Sequence, residues 1–120
     1  MSFEYENIST IQYELDNEKS ECELKAVKLT MEGYRDEARY YDLIIKVYQT
    51  VSDMLEECYD FNLDTFLNHL NNEYKKVRNK QLDKFHNLDD TANSFIAGLY
   101  IETLDNLYKE VKEKIEECAK

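Results

Sequence analysis

Two histidines, three cysteines and 26 acidic residues are the side chains of this chain best suited to chemistry. Asp83 lies three residues before His86. On a helix that spacing places both on one face, within reach of a single metal ion. A di-iron bundle uses two Glu-x-x-His pairs and two further glutamates, and a single Asp-x-x-His does not supply that set. His69 belongs to no HExxH motif. Adjacent acids occur at Asp36-Glu37, Glu56-Glu57, Asp89-Asp90 and Glu116-Glu117. Glu57 with Asp60 and Glu18 with Glu21 are spaced i,i+3, so each pair could share Mg²⁺, a hard cation that takes oxygen ligands. In a chain this acidic such pairs also arise by chance.

All-α nucleotide pyrophosphohydrolases of the MazG type use pairs of this kind, and the fragments Glu57-x-x-Asp60 and Glu18-x-x-Glu21 resemble theirs. The tighter Glu-Glu-x-x-Glu motif is missing upstream, so no residue is carried over from the resemblance. No nucleophile sits on a glycine-flanked turn, and there is no glycine-rich phosphate loop. Cys22, Cys58 and Cys118 are odd in number, widely spaced and without a CxxC pair. That argues against a disulfide framework or a zinc site and for a reducing cytosol. All three fall on or beside apolar stripes and read as small core residues. No catalytic, cofactor-binding or metal-ligating residue is assigned.

The net charge of −11 sets the class of partner. Phosphate neutralisation needs cations, so neither nucleic acid nor an anionic membrane is expected as the direct partner. A basic protein surface would be met faster. The charge is uneven along the chain. Residues 1–24 contain seven acids and one lysine, whereas residues 61–88 contain three acids and five bases. The bases form an island, Lys75, Lys76, Arg78, Lys80 and Lys84, which reads either as a phosphate-binding strip or as a solvated face that complements the acidic segments. The acidic start, Met1 to Glu6, has no hydrophobic segment of the secretory type. No run approaches the roughly 18–20 apolar residues that span a bilayer.

The elements that must position these groups are helices. There is no proline and there are two glycines, too few for a turn-rich β fold, while 42% hydrophobic residues exclude a disordered polar chain. From Leu24 the series Val27, Met31, Tyr34, Ala38, Tyr41, Ile45, Tyr48, Ser52, Leu55 and Tyr59 keeps a three-four spacing on one helical face. Ser20 and Glu23 have the spacing of a capping box before it. From Tyr40 to Leu55 the face widens to take in Leu43, Ile44, Val47 and Met54. A helix over 20–60 would be roughly 60 Å long, too long for a compact domain. It therefore bends or breaks near Gly33, projects, or is shared with another copy. Residues 1–20 read as a short helix, with Ser9 and Gln12 as a second capping box, or as a hairpin turning near Asp16-Asn17. Asp60-Phe61-Asn62 marks a boundary. Leu63, Leu67, Leu70, Tyr74, Val77 and Phe85 mark a third helix. Asn87 or Asp89 caps a last one along Ala97, Ile101, Leu104, Tyr108, Val111, Ile115 and Cys118. The expected fold is all-α: one domain over 1–120, a bundle of three to four amphipathic helices with coiled-coil-like packing.

The expected function is binding without catalysis, in the cytoplasm, with no cofactor. The chain is similar in size, charge and lack of a catalytic motif to phage anti-defence proteins, anti-CRISPR proteins and nuclease-immunity proteins. It reads as a small acidic inhibitor that occupies a basic surface of a nucleic-acid-acting protein, with Glu14, Asp16, Glu18, Glu21 and Glu23 standing where phosphates otherwise bind. The abundance of tyrosine, ten residues with Tyr34, Tyr41, Tyr48 and Tyr59 on the main seam, suits either an interface or a core with hydroxyls at its edge. The alternatives are a structural or adaptor protein that forms a homodimer through its long helices, and a Mg²⁺-dependent nucleotide hydrolase.

Overall fold

Gly33 decides the topology. Its φ is +90°, a conformation that an L side chain rarely adopts. Around it Tyr34 N–H donates to Leu29 O at 2.8 Å and Gly33 N–H to Thr30 O at 3.2 Å. These are the paired bonds of a Schellman motif, which satisfies carbonyls that the end of a helix leaves open. The chain then reverses within a few residues. The computed structural model describes residues 5–58, 62–87 and 89–118. Within them lie α1 (Tyr5–Met31), α2 (Arg35–Glu57), α3 (Leu63–Phe85) and α4 (Thr91–Cys118), with no strand.

The four helices run up and down as two antiparallel hairpins, α1–α2 and α3–α4. Asn62 caps α3, accepting the Thr65 N–H at 3.1 Å. Asp90 precedes α4 and accepts the Asn93 N–H at 3.2 Å. The core gathers where both hairpins meet. Ile8, Ile11 and Leu15 of α1 pack with Val47, Val51, Met54 and Leu55 of α2, Phe66 and Leu70 of α3, and Leu104, Val111 and Ile115 of α4. Each such side chain contributes about 1.5–3 kcal/mol by leaving water. Toward the Gly33 end the hairpins diverge. A bond between the Thr50 and Tyr100 hydroxyls, 2.8 Å long, marks the point of divergence between α2 and α4. The radius of gyration is 15.9 Å, larger than the ~14 Å of a compact chain of this length.

Several expectations are corrected here. The series from Leu24 to Leu55 is not one face of one helix. The break at Gly33 separates its parts, and Leu24, Val27, Met31 and Tyr34 are exposed. In α2 the buried residues are Ala38, Val47, Val51, Met54 and Leu55; Ala38 and Leu55 belong to the expected series, whereas Tyr41, Ile45, Tyr48 and Ser52 are only half-buried. Ser20 with Glu23 and Ser9 with Gln12 lie inside α1 and begin no helix. The hairpin over the first twenty residues does not form, since α1 runs through Asp16-Asn17. Asp90, not Asn87 or Asp89, caps α4, and Asn87 instead accepts the Asp89 N–H. Cys118 is exposed and Cys22 half-buried, which leaves Cys58 as the one core cysteine of the three. Tyr59, Asp60 and Phe61, and the acidic start Met1 to Glu4, lie outside the described residues. No helix among the described residues is long and apolar enough to cross a membrane.

Candidate functional site

α1 has two apolar faces. Ile8, Ile11, Leu15 and Ala26 are buried against the other helices. Leu24 lies nine residues after Leu15, two and a half turns at 3.6 residues per turn, and so points the opposite way. Its neighbours on that outer face are Tyr13, Val27 and Met31. Tyr13 is 68% exposed, Leu24 72%, Val27 58% and Met31 83%. Tyr34, 56% exposed, continues the stripe past the turn. Leu24, Val27 and Met31 form a run of large exposed apolar side chains, with Tyr13 set apart from it by Asn17 and Ser20, and such a run is a candidate interaction surface.

The five acids singled out in the sequence do not form one patch. Glu14 reaches across to α4 and pairs with Lys114, Oε2 to Nζ 2.9 Å. That bond raises the Lys114 pKa. Glu18 turns inward to the Tyr48 hydroxyl, which burial and then this contact push well above the ordinary tyrosine range. Asp16, Glu21 and Glu23 are exposed, and Glu23 lies 3.9 Å from Lys19. Glu14 and Glu21 border one side of the outer apolar stripe, while Asp16 and Glu23 border the other. The structure thus divides the acids into two rows, one on each side of the outer face, with Lys28 and Thr30 continuing those rows beside Val27 and Met31.

The remaining candidates stay apart. His69 is exposed beside Glu57, Cys58, Glu73 and Lys76 in a shallow hollow of 320 Å³. Burial pushes the Cys58 thiol up to about 11, away from the thiolate a nucleophile needs. His86 caps α3 and its ring meets Phe85 edge-on at 5.3 Å. Among the described residues no three His, Cys, Asp or Glu side chains converge as metal ligands would. The partner of Glu57 in its acid pair, Asp60, lies outside those residues. Of the basic island, Arg78 pairs with Asp105 of α4 at 3.1 Å and Lys76 with Glu73 at 3.1 Å. Of those two pairs, only Arg78 to Asp105 joins the island to the acidic C-terminal segment, since Glu73 belongs to α3 itself.

A second concavity lies between the diverging hairpins. It is a cleft of 1130 Å³ whose walls include Tyr40, Leu43, Phe95 and Ile96, with Arg39, Lys46 and Lys84 on one side of its charge balance and Asp36, Asp42 and Asp90 on the other. With equal numbers of each sign it selects no ligand charge. The chain matches no family model, no curated protein and no solved structure. The functional reading therefore rests on these surfaces alone.

Sequence reasoning missed the outer face of α1 by taking Leu24, Val27 and Met31 as core. The signal was available. If α1 is one helix, the half-integral number of turns from Leu15 to Leu24 puts the two apolar groups on opposite sides.

Proposed function

We propose that this chain is a non-enzymatic protein-binding protein and that the outer face of α1 is its binding surface. The observation that supports this is the exposed stripe Tyr13, Leu24, Val27 and Met31 with acids along both edges. An apolar centre inside a charged rim is the usual anatomy of an interface, with the centre providing affinity and the rim selecting the partner. The rim selects a basic partner. The most specific form of the reading is a small acidic inhibitor that covers the phosphate-binding surface of a nucleic-acid-acting protein, Asp16, Glu21 and Glu23 taking the place of phosphates.

The test is affinity capture from the native host with the wild-type chain and with Leu24→Asp, a change on an exposed site that leaves the core intact. A partner held by the first and lost by the second, more weakly held as salt rises, is the expected result. Capture that is equal for both chains, or indifferent to salt, overturns the reading. Self-association through a very long helix loses its original basis, because the break at Gly33 leaves helices of 27 and 23 residues. Light scattering on the eluting protein reads the oligomeric state directly, with a monomer expected.

A further inference from the structure

Resting on that reading of the α1 surface, we infer that its partner presents an amphipathic α-helix with basic flanks, which lies along α1 as the second strand of a short coiled coil. The residues that face outward are Tyr13, Asn17, Ser20, Leu24, Val27 and Met31, all exposed. Their spacing is four, three, four, three, four, the alternation of a heptad seam. They cover about 27 Å at ~1.5 Å per residue, enough for five turns of a partner helix. A helix laid along α1 would insert its own side chains into the gaps of this row.

The flanking positions state the partner's charge. In a coiled coil the residues next to the seam meet those of the other strand and set partner choice. Here they are Glu14, Glu21 and Lys28 on one side and Asp16, Glu23 and Thr30 on the other. Four of the six are acids. Glu14 is shared with Lys114 and Glu23 with Lys19 of the same helix, while Asp16 and Glu21 extend into solvent. Lysine or arginine at the matching positions of the partner would meet every one.

A second copy of the chain fits this surface poorly. Antiparallel pairing brings Glu21 against Glu21 and Glu23 against Glu23, and sets Asn17 and Ser20 opposite Val27 and Leu24. Parallel pairing sets Asp16 against Glu21 and places the polar Asn17 and Ser20 in the seam against their own copies, which leaves Glu23 to Lys28 as its one favourable flanking pair. Like charges at such positions oppose pairing, and a polar seam residue facing an apolar one loses its hydrogen-bond partner. Asn17 within the seam fits a heterologous helix that offers it a polar partner and so fixes the register.

The experiment uses the full chain and two synthetic four-heptad peptides with identical leucine seams, one flanked by lysine and arginine and the other by glutamate. Binding is read by fluorescence anisotropy and mapped by methyl resonances of Leu24, Val27 and Met31. The basic peptide is expected to bind about tenfold or more tightly than the acidic one, since several flanking ion pairs act together. Leu24→Asp is expected to weaken it by about tenfold or more, through loss of a buried seam side chain. Glu21→Lys with Glu23→Lys is expected to reverse the preference between peptides. Circular dichroism confirms that both variants remain helical. Equal affinity for the two peptides, or resonance shifts confined to the cleft walls around Phe95 and Ile96, overturns the inference. A native partner captured by the wild-type chain and lost with Leu24→Asp, together with no binding of the basic peptide, leaves α1 as a binding surface and overturns the helical partner alone.

Discussion

The two hairpins use their side chains differently. α3 and α4 are tied to each other by polar groups along their length. Tyr74 stacks on Tyr108 with ring centroids 3.9 Å apart, Tyr74 donates its hydroxyl hydrogen to Asp105, and Arg78 closes on the same carboxylate. At the tip Ser94 donates to the Phe85 carbonyl, and Gly98 gives the Phe85 ring room, since a Cβ there would stand 3.0 Å from it. α1 and α2 are joined by Lys19 to Gln49 at 2.6 Å, by Gln12 to the Ser52 carbonyl at 3.4 Å and by Glu18 against the Tyr48 hydroxyl, while the outer surface of α1 carries exposed apolar and acidic side chains. Both hairpins pair polar groups across their helices, and α1 in addition presents large apolar side chains on the face turned away from the bundle. The comparison teaches that exposed apolar side chains have two settings here: Phe95 and Ile96 stand in the wall of the cleft, whereas Leu24, Val27 and Met31 lie along the outward face of one helix.

The largest expected effect tests the two faces of α1 against each other. Leu15→Ala opens a cavity in the core and is expected to cost about 2–5 kcal/mol of stability in urea unfolding. Leu24→Ala, on the opposite face, is expected to stay within about 0.5 kcal/mol, as surface changes do. Similar losses for the two would mean that the outer face is covered within the chain, and the contrast would collapse.

The turns come next. Gly33→Ala is expected to cost about 1–2 kcal/mol, because a left-handed residue with a Cβ is strained. Nothing lies within 4 Å of a Cβ built at this site, so the cost is conformational, and Gly33→Asn should recover part of it. At the other tip Asp90→Ala removes a side-chain cap and is expected to cost about 1 kcal/mol. Tyr34 stands at the corresponding position before α2 and makes no side-chain cap bond. Tyr34→Ala should therefore change stability by less than about 0.5 kcal/mol. Thermal unfolding of the four variants orders them.

Much of this fold was legible as pattern. The seam of α4 from Ala97 to Ile115 is buried as its spacing implies, because α4 is one uninterrupted helix with a single neighbour-facing side. Asn62 and Gly33 act at the boundaries where their residue types suggest. The α1–α2 region was misread because a three-four spacing continued by chance through a break. Periodicity describes a face only while the helix lasts, and it does not say which of two apolar faces meets the core. That choice belongs to tertiary packing, as does the burial of Phe66, which no local pattern singled out. The acids were legible as a concentration of charge but not as two rims, since their sides depend on where α1 turns its inner face.

The smallest effect tests the locked hairpin. Arg78 and Asp105 are each about a third exposed, so solvent screens their attraction, and Arg78→Ala is expected to cost about 0.5 kcal/mol at neutral pH. Alkaline titration reads the same group of residues more sharply. Burial, and then the hydrogen bond to Asp105, push the Tyr74 hydroxyl up to about 12. An unfolded tyrosine ionises near 10. The stability that this difference supports is complete below about pH 10 and is lost as the pH rises toward about 12, because the unfolded state releases the proton first. Tyrosinate absorbance should show Tyr74 titrating above the range of an unfolded tyrosine. Asp105→Asn should bring Tyr74 down toward the ordinary range, whereas Arg78→Ala, by removing a cation that favours the ionised form, should move it further up. Shifts of the same sign in both variants would mean that general loosening of α3 from α4, and not the carboxylate and guanidinium in turn, sets the ionisation of Tyr74.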